Sequence, residues 1–498
     1  MIYILPLAIF AGLNYNTMKF PKKAWESFKQ TPQYLSSLSE FQELYDIENI
    51  DRMFKKHCPD YSKDYPVTYL TSFFLDLFDE EDLSFGSYDE CERYLVELFG
   101  SELSEDDGTI IIREDDGKAW VSLVPALSVA LSAYCHEYFI PYLFPLRFSL
   151  FRRIMGVLQI DLPETPLRSK YFERYMYYKE FCDIMIIMRD ETGMTPEEAC
   201  VFLYEFMPNH YLEDEEPAPL HDGMQAWFIG GKKIGSEVEA DYIFWQANEE
   251  TWKGDIMVFY ETSPKSAITG IWRAKEDGIC DPFFGYYAHT YIGDEIRLEH
   301  PITLNELRSD KMMCDNGLVR KNFQGVNGWP LTTDEYNHIV EMIRERECTA
   351  VPEIYCPGTP DVNIKYERDV SYQLLVGLLK QIGISNYSAE FKTHVGRKSE
   401  VFPDFVADVR YSENERPAAR ITFEVKKRMK NNREIVANYT QGDSYARALN
   451  SELLVICDER IIQVHPRKDG AFCYERNVRF TWDEAFGSRF AEITRLLK

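Results

Sequence analysis

The stretch VFPDFVADVRYSENERPAARITFEVKKRMKNNR, residues 401–433, sets Asp404 behind Pro403 and, twenty positions later, the tripeptide Glu424-Val425-Lys426. RITFEVKK alternates as a strand, so that Ile421, Phe423 and Val425 share one face while Thr422, Glu424 and Lys426 share the other. A strand over FVADV, joined to it through a turn at Ser412–Pro417, can present Asp404 beside Glu424. Two carboxylates and the Val425 backbone carbonyl then make an oxygen-rich cage for a hard cation such as Mg²⁺, for which Mn²⁺ could substitute. The Lys426 ammonium can orient an attacking water or help to deprotonate it, and the sum is metal-assisted phosphodiester hydrolysis. Lys427, Arg428, Lys430 and Arg433 follow the tripeptide, and Arg397 and Lys398 precede Asp404, where they would hold phosphates.

These residues need elements to position them. IKYERDVSYQLLVGLLK, residues 364–380, predicts a helix whose Val370, Leu374 and Leu378 share a face with Glu367, although a frayed first turn also explains that acid and Asp369 could take its place. IVANYTQGDSYARAL predicts a second helix with Gln441 and Tyr445 one turn apart. ELLVICD and RIIQVHP complete an order of helix, three strands, helix, strand. The alternative is a surface strand with an ordinary Glu/Lys ladder beside a solvated basic loop, which accounts less well for the spacing.

Pro403-Asp404, Glu424-Val425-Lys426 and Gln441-Gly442-Asp443-Ser444-Tyr445 resemble the PD-(D/E)xK nucleases, in the branch with a Gln-x-x-x-Tyr motif seen in RecB-like nucleases and type I restriction R subunits. The resemblance implies a restriction-endonuclease-like α/β fold over residues 361–498. It also implies catalytic roles for Asp404, Glu424, Lys426, Gln441, Tyr445 and Glu367, with the metal on Asp404, Glu424 and Val425.

Upstream, residues 224–346 read as β-rich, with short runs QAWFIG, DYIFWQA, DIMVFYE and AITGIWRA and a closing helix in LTTDEYNHIVEMIRER. Gly254-Asp255 before a strand, the Gly-Ile strand leading to Asp281-Pro282, and the helix after Leu331-Thr332 resemble EVE-type domains of the PUA-like fold. That resemblance implies a small barrel accepting a modified base flipped out of a duplex. A flipped base needs aromatic faces and edge-reading polar groups, and Trp227, Trp245, Trp252, Tyr260 and Asn248 are the candidates. Taken singly, each ring reads as core more readily than as pocket, with Trp245 and Trp252 favoured for the pocket because they flank the polar loop QANEET, and Asn248 could simply cap a turn.

The whole is a multidomain α+β protein: a mainly helical region over 1–215, the PUA-like block, and the nuclease block. Of 498 residues, 82 are acidic and 55 basic, which argues against coating nucleic acid by bulk charge. Residues 361–498 hold 23 Lys and Arg against 20 Asp and Glu, so the acidity lies upstream of the candidate site. Eleven cysteines without a C-x-x-C pair suit reduced thiols and a cytoplasmic location. Residues 1–15 are apolar but short and lack a basic start, and they read as a buried element; initiation at Met18 would remove them. The aromatic run Leu123–Phe151 reads as buried helices rather than a membrane span, because His136, Glu137, Pro141, Pro145 and Arg147 interrupt it. GTIIIREDDGKAWVSL reads as a hairpin turning at Asp115-Asp116-Gly117, and Thr195-Pro196-Glu197-Glu198 as a helix start.

A base reader joined to a metal nuclease predicts an endonuclease that cuts modified double-stranded DNA, as in anti-phage restriction, with a homodimer reasonable for a two-strand cut. An RNA-targeting nuclease and a non-catalytic binding scaffold are the alternatives. No G-x-x-x-x-G-K-[ST] motif is present, so the sequence offers no NTP-driven motor.

Overall fold

Thr195 caps its helix as the sequence anticipates: its hydroxyl accepts the Glu198 backbone N–H while the Glu198 carboxylate accepts that of Thr195. The structure is a computed structural model describing residues 18–101, 103–104, 111–112, 116–212, 222–232, 242–395, 399–411, 417–468 and 470–498. The apolar segment 1–15, much of the acidic linker and the pair Arg397 and Lys398 lie outside the described residues. The architecture is mixed α/β, mainly helical over the described residues up to 212, with the larger sheets thereafter. Among the described residues, no helix is long and apolar enough to cross a membrane. The eleven cysteines are all free.

The chain divides into two compact units, and the division runs through the middle block. The first unit gathers the described residues of 1–220 with 239–253 and 274–293. Its long helices are α1 (Val67–Glu80), α2 (Gly117–Tyr134) and α3 (Tyr171–Thr192). Here the hairpin expectation fails in its second half. Asp116 is an N-cap whose side chain accepts the Ala119 N–H, so Lys118–Leu123 are helical, while Leu103–Ser104 pairs with Ile111–Ile112 instead. The alternation around Gly117 gives way because α2 is buried on nearly every side, Trp120, Val124, Leu127 and Leu131 included, and apolar period carries little information on such a helix. Ile243–Gln246 pairs antiparallel with the first residues of the strand Ala288–Thr303, and Ile279–Cys280 pairs with its start. Arg174, fully buried on α3, ties the intervening loop down by donating to the carbonyls of Pro282 and Phe284 at 2.9 and 2.6 Å.

The second unit holds the rest. Strand β1 (Ala226–Gly231) runs parallel to β2 (Ile256–Glu261), which pairs antiparallel with β3 (Ala267–Ala274); β4 (Trp329–Leu331) lies antiparallel on the other side of β1. Helix α4 (Thr333–Arg344) closes this region with a Thr332/Glu335 capping box and buries Tyr336, Ile339 and Ile343 against Phe228 and Val258.

A six-stranded sheet follows, in the order β5 (Tyr387–Ala389), β6 (Phe405–Tyr411), β7 (Pro417–Val425), β8 (Leu453–Cys457), β9 (Ile461–Pro466) and β10 (Val478–Thr481). Only β7 and β8 pair in parallel, and α6 (Asn432–Ala448) is the crossover that parallel pairing requires. The helical run 367–382, α5, includes a wider i→i+5 stretch at Val370–Leu375. It packs Val370, Leu374 and Leu378 on the face of the sheet carrying Ile421, Phe423 and Val425. The opposite face, with Thr422 and Glu424, lies under α6, where the Thr422 and Ser451 hydroxyls bond at 2.8 Å. The last helix, α7 (Phe490–Leu497), also enters this core and sends the Arg495 guanidinium to within 3.4 Å of Asp255 Oδ2.

Candidate active site

Strand register assembles the site. Phe405 pairs with Phe423 across the antiparallel β6–β7 ladder, so Asp404, one residue before β6, comes level with Glu424. Asp404 Oδ2 accepts the Val425 N–H at 2.7 Å, which fixes the carboxylate at the strand end. Lys426 Nζ then lies 2.6 Å from Glu424 Oε1, 2.9 Å from the Val425 carbonyl and 3.7 Å from Asp404 Oδ2. The three oxygen groups expected to hold a cation therefore converge on one positive charge, the ammonium of the neighbouring lysine.

Glu424 is 1% exposed, and its Oε2 has no hydrogen-bond partner among the described residues. Burial pushes its carboxyl up; Lys426 pulls it down, and the charges of Asp404 and Glu367 push it up again, leaving it at about 7. Burial alone would lower the Lys426 ammonium, but the hydrogen bond to Glu424 and the charges of Glu424, Asp404 and Glu367 hold it above its ordinary value. An orphaned buried oxygen beside oxygens already gathered round a cation fits a divalent metal better than it fits a finished structural ion pair. Among the described residues, no group of three or more His, Cys, Asp or Glu side chains is arranged as a metal site. The candidate set here is two carboxylates and a backbone carbonyl.

The other expected residues fall around this centre. Glu367 is exposed at the start of α5 and acts on Glu424 and Lys426 through its charge. Asp369 is committed elsewhere: its Oδ2 accepts the backbone N–H groups of Lys365 and Tyr366, which holds it below the usual carboxylate range. Gln441 Nε2 donates to the Tyr445 hydroxyl at 3.0 Å on α6, one turn apart as spaced. Lys427, Arg428 and Lys430 are exposed on the loop leaving β7.

Two residues of this region escaped the sequence reading. Asp458 is fully buried, and its carboxylate accepts from the backbone N–H groups of Met429, Arg460 and Ile461 at 2.8, 2.9 and 3.0 Å. With Lys426 N–H on the Cys457 carbonyl and Glu459 N–H on that of Lys427, the turn after β8 zips the basic loop into place. An Asp closing a buried strand was its only signal. Gly442 is the second: a Cβ there would meet Leu454 Cδ1 at 2.8 Å and Glu424 Cβ at 3.5 Å, so glycine lets α6 lie directly on the strand carrying Glu424. A mid-helix glycine between Gln441 and Tyr445 was the clue, since such a residue costs about 1 kcal/mol against alanine and so asks for a packing reason.

The expected base-binding residues divide between the two units. In the second, Trp227 is buried, donates its indole N–H to Asp255 Oδ2 at 2.9 Å and has the Arg495 guanidinium 5.5 Å from its ring. Tyr260 is buried too, stacked face to face on Phe323 at 3.7 Å. Both rings have their faces filled by the protein itself. In the first unit, Trp245 and Trp252 are half-buried, and Asn248 Oδ1 accepts the Glu250 N–H at 2.9 Å, which makes it a turn cap.

No protein-family model matches the chain, and neither does any curated protein. Among solved structures, Rpa0253 from Rhodopseudomonas palustris matches at 17% identity over 25% of this chain and 95% of its own, with a TM-score of 0.22. Atu2648 from Agrobacterium tumefaciens matches at 14% identity over 26% of this chain and 97% of its own, TM-score 0.23. A hypothetical protein from Leishmania major matches at 16% identity over 25% of this chain and 96% of its own, TM-score 0.22.

Proposed function

We propose that the C-terminal block is a metal-dependent nuclease of restriction-endonuclease-like fold, serving an endonuclease directed at DNA with modified bases. The observation that carries this reading is the convergence of Glu424 Oε1, the Val425 carbonyl and Asp404 Oδ2 on the Lys426 ammonium, with Glu424 held near pH 7. Asp404, Glu424 and the Val425 carbonyl would hold Mg²⁺, or Mn²⁺ in its place. Bound there, the ion supplies Lewis-acid stabilisation and an acidified water. Lys426 would give up its present partners and turn its charge toward the water or the scissile phosphate. Gln441 and Tyr445 would orient the strand from α6, while Lys427, Arg428 and Lys430 would neutralise the flanking phosphates. Half-buried Trp245 and Trp252, in a PUA-like barrel, are the rings best placed to stack on a modified base.

The test is cleavage of matched phage DNAs carrying ordinary, methylated, hydroxymethylated or glucosylated cytosine, with Mg²⁺ and with Asp404→Ala as the blank. Cleavage confined to a modified DNA is the expected result. Equal cutting of all four would remove the modification dependence, and cutting of tRNA or rRNA in preference would move the substrate to RNA.

A further inference from the structure

The surroundings of Asp404 and Glu367 carry three outward rings. Tyr366, Tyr372 and Phe402 are 60%, 59% and 52% exposed. Each is tied to the site by the chain or by a ring contact. Tyr366 immediately precedes Glu367, and Phe402 lies two residues before Asp404. The Tyr372 ring stands 5.8 Å from that of Phe405, the residue after Asp404. Apolar residues exposed singly over a surface need no explanation, but three aromatics adjoining two acids of one site do.

What they adjoin narrows the occupant. Lys427, Arg428, Lys430 and Arg433 are exposed on the loop and helix start that follow Lys426, in a chain whose net charge of −27 otherwise repels phosphate. Exposed aromatic rings next to backbone-gripping cations are the equipment of single-strand binding, where bases stack on the rings and phosphates sit on the cations; the Arg368 guanidinium, 5.3 Å from the Tyr366 ring centroid, adds a cation there. A closed duplex keeps its base faces within its own stack and leaves such rings unused.

We propose that the strand presented to Asp404, Glu424 and Lys426 is unpaired around the scissile phosphate, its neighbouring bases stacking on Tyr366, Tyr372 and Phe402. This rests on the nuclease reading above and adds the state of the substrate at the cut. The chemistry shared by its possible sources is a run of unpaired nucleotides, in DNA or in RNA.

The experiment uses full-length protein. Binding of labelled oligonucleotides to the Asp404→Ala form is followed by anisotropy for single-stranded DNA, single-stranded RNA of the same sequence, the blunt duplex, and a duplex with a central unpaired bubble. The single strand and the bubble are expected to bind at least about tenfold tighter than the blunt duplex, and each ring removed to cost about tenfold on them. Tyr366→Leu and Phe402→Leu keep apolar bulk without a stacking face, so they separate lost stacking from lost folding; they should lose single-strand binding and leave duplex binding unchanged. The DNA and RNA arms identify the source. Duplex binding as tight as single-strand binding, or leucine variants with unaltered single-strand affinity, would overturn the proposal. So would rings whose loss dissociates a dimer in sedimentation while binding stays intact, since that marks a contact between two copies. Wild-type protein that cleaves none of the four probes with Mg²⁺ or Mn²⁺, whether they carry ordinary, methylated, hydroxymethylated or glucosylated cytosine, refutes the nuclease reading itself, whereas cleavage favouring the blunt duplex refutes only the unpaired strand.

Discussion

The C-terminal sheet and the strands of the middle block each supplied candidate residues, and the two sets fared differently. In the sheet, Asp404, Glu424, Val425 and Lys426 meet within hydrogen-bonding or ion-pair distance. In the middle block, Trp227 and Tyr260 prove to be core, and Trp245, Trp252 and Asn248 belong to the other compact unit. The difference lies in what holds each set. Carboxylates on adjacent antiparallel strands are brought together by ladder register, which the sequence encodes with a period of two. An aromatic ring has no such address, and its large apolar area sends it to the core unless something intervenes.

The sharpest way to break this contrast is to remove one residue from each set. Asp404→Ala or Lys426→Ala should lower cleavage on the order of a thousandfold while shifting the unfolding midpoint far less than the loss of a core ring. Trp227→Ala should do the reverse, costing about 3–5 kcal/mol in denaturant unfolding through a cavity and the loss of the indole hydrogen bond to Asp255. If Trp227→Ala folds normally and loses only its preference for modified DNA, the core assignment of that ring fails.

A pH titration sharpens the comparison further. Glu424 has its folded-state pKa raised from 4.5 to about 7, so between those values the folded protein keeps a proton that the unfolded chain has released. Stability of the metal-free protein should therefore fall as pH rises through that window, by up to about 3 kcal/mol. Lys426 stays charged across it, and Asp404 and Glu367 are the acids that press on Glu424. Glu424→Gln should flatten this part of the profile and be the more stable protein at pH 8. Mg²⁺ should stabilise the wild type more at pH 8 than at pH 6. A wild-type profile identical to that of Glu424→Gln would mean that the buried carboxyl is not strained.

Much of the sheet was legible because its residues obey local rules. The alternation of RITFEVKK and the four-residue spacing of Gln441 and Tyr445 reappear in β7 and α6, and FVADV lies in β6, while the turn expected over Ser412–Pro417 falls largely outside the described residues. What stayed hidden depends on contacts distant in sequence. Asp458 organises the basic loop through backbone N–H groups on either side of it, and no pattern in ELLVICDERIIQ announces that partnership. The failed half of the hairpin has the same origin: α2 is enclosed so fully that apolar residues fill every turn, and local alternation there reports burial and not strand. Trp227 and Tyr260 leaned toward core in the sequence, and the Asp255 and Phe323 contacts show what holds them there.

The smallest effect expected in stability carries the finest test. Gly442→Ala sets two opposing changes against each other. Removing a helix-interior glycine favours α6 by up to about 1 kcal/mol. The new Cβ, however, would sit 2.8 Å from Leu454 Cδ1, which forces either that leucine or the helix to move. Net stability should therefore stay within about 1 kcal/mol of wild type, too little to register as a folding defect. Cleavage should respond more strongly, because the new Cβ would also come within 3.5 Å of Glu424 Cβ and the same helix carries Gln441 and Tyr445. A displacement of a few tenths of an ångström at reacting groups is enough for a loss of about tenfold. A Gly442→Ala protein that is both more stable and fully active would show that Leu454 yields by changing rotamer and that the close approach of α6 does not set the site. A stable, folded protein with impaired cleavage would assign the mid-helix glycine to the chemistry carried by β7.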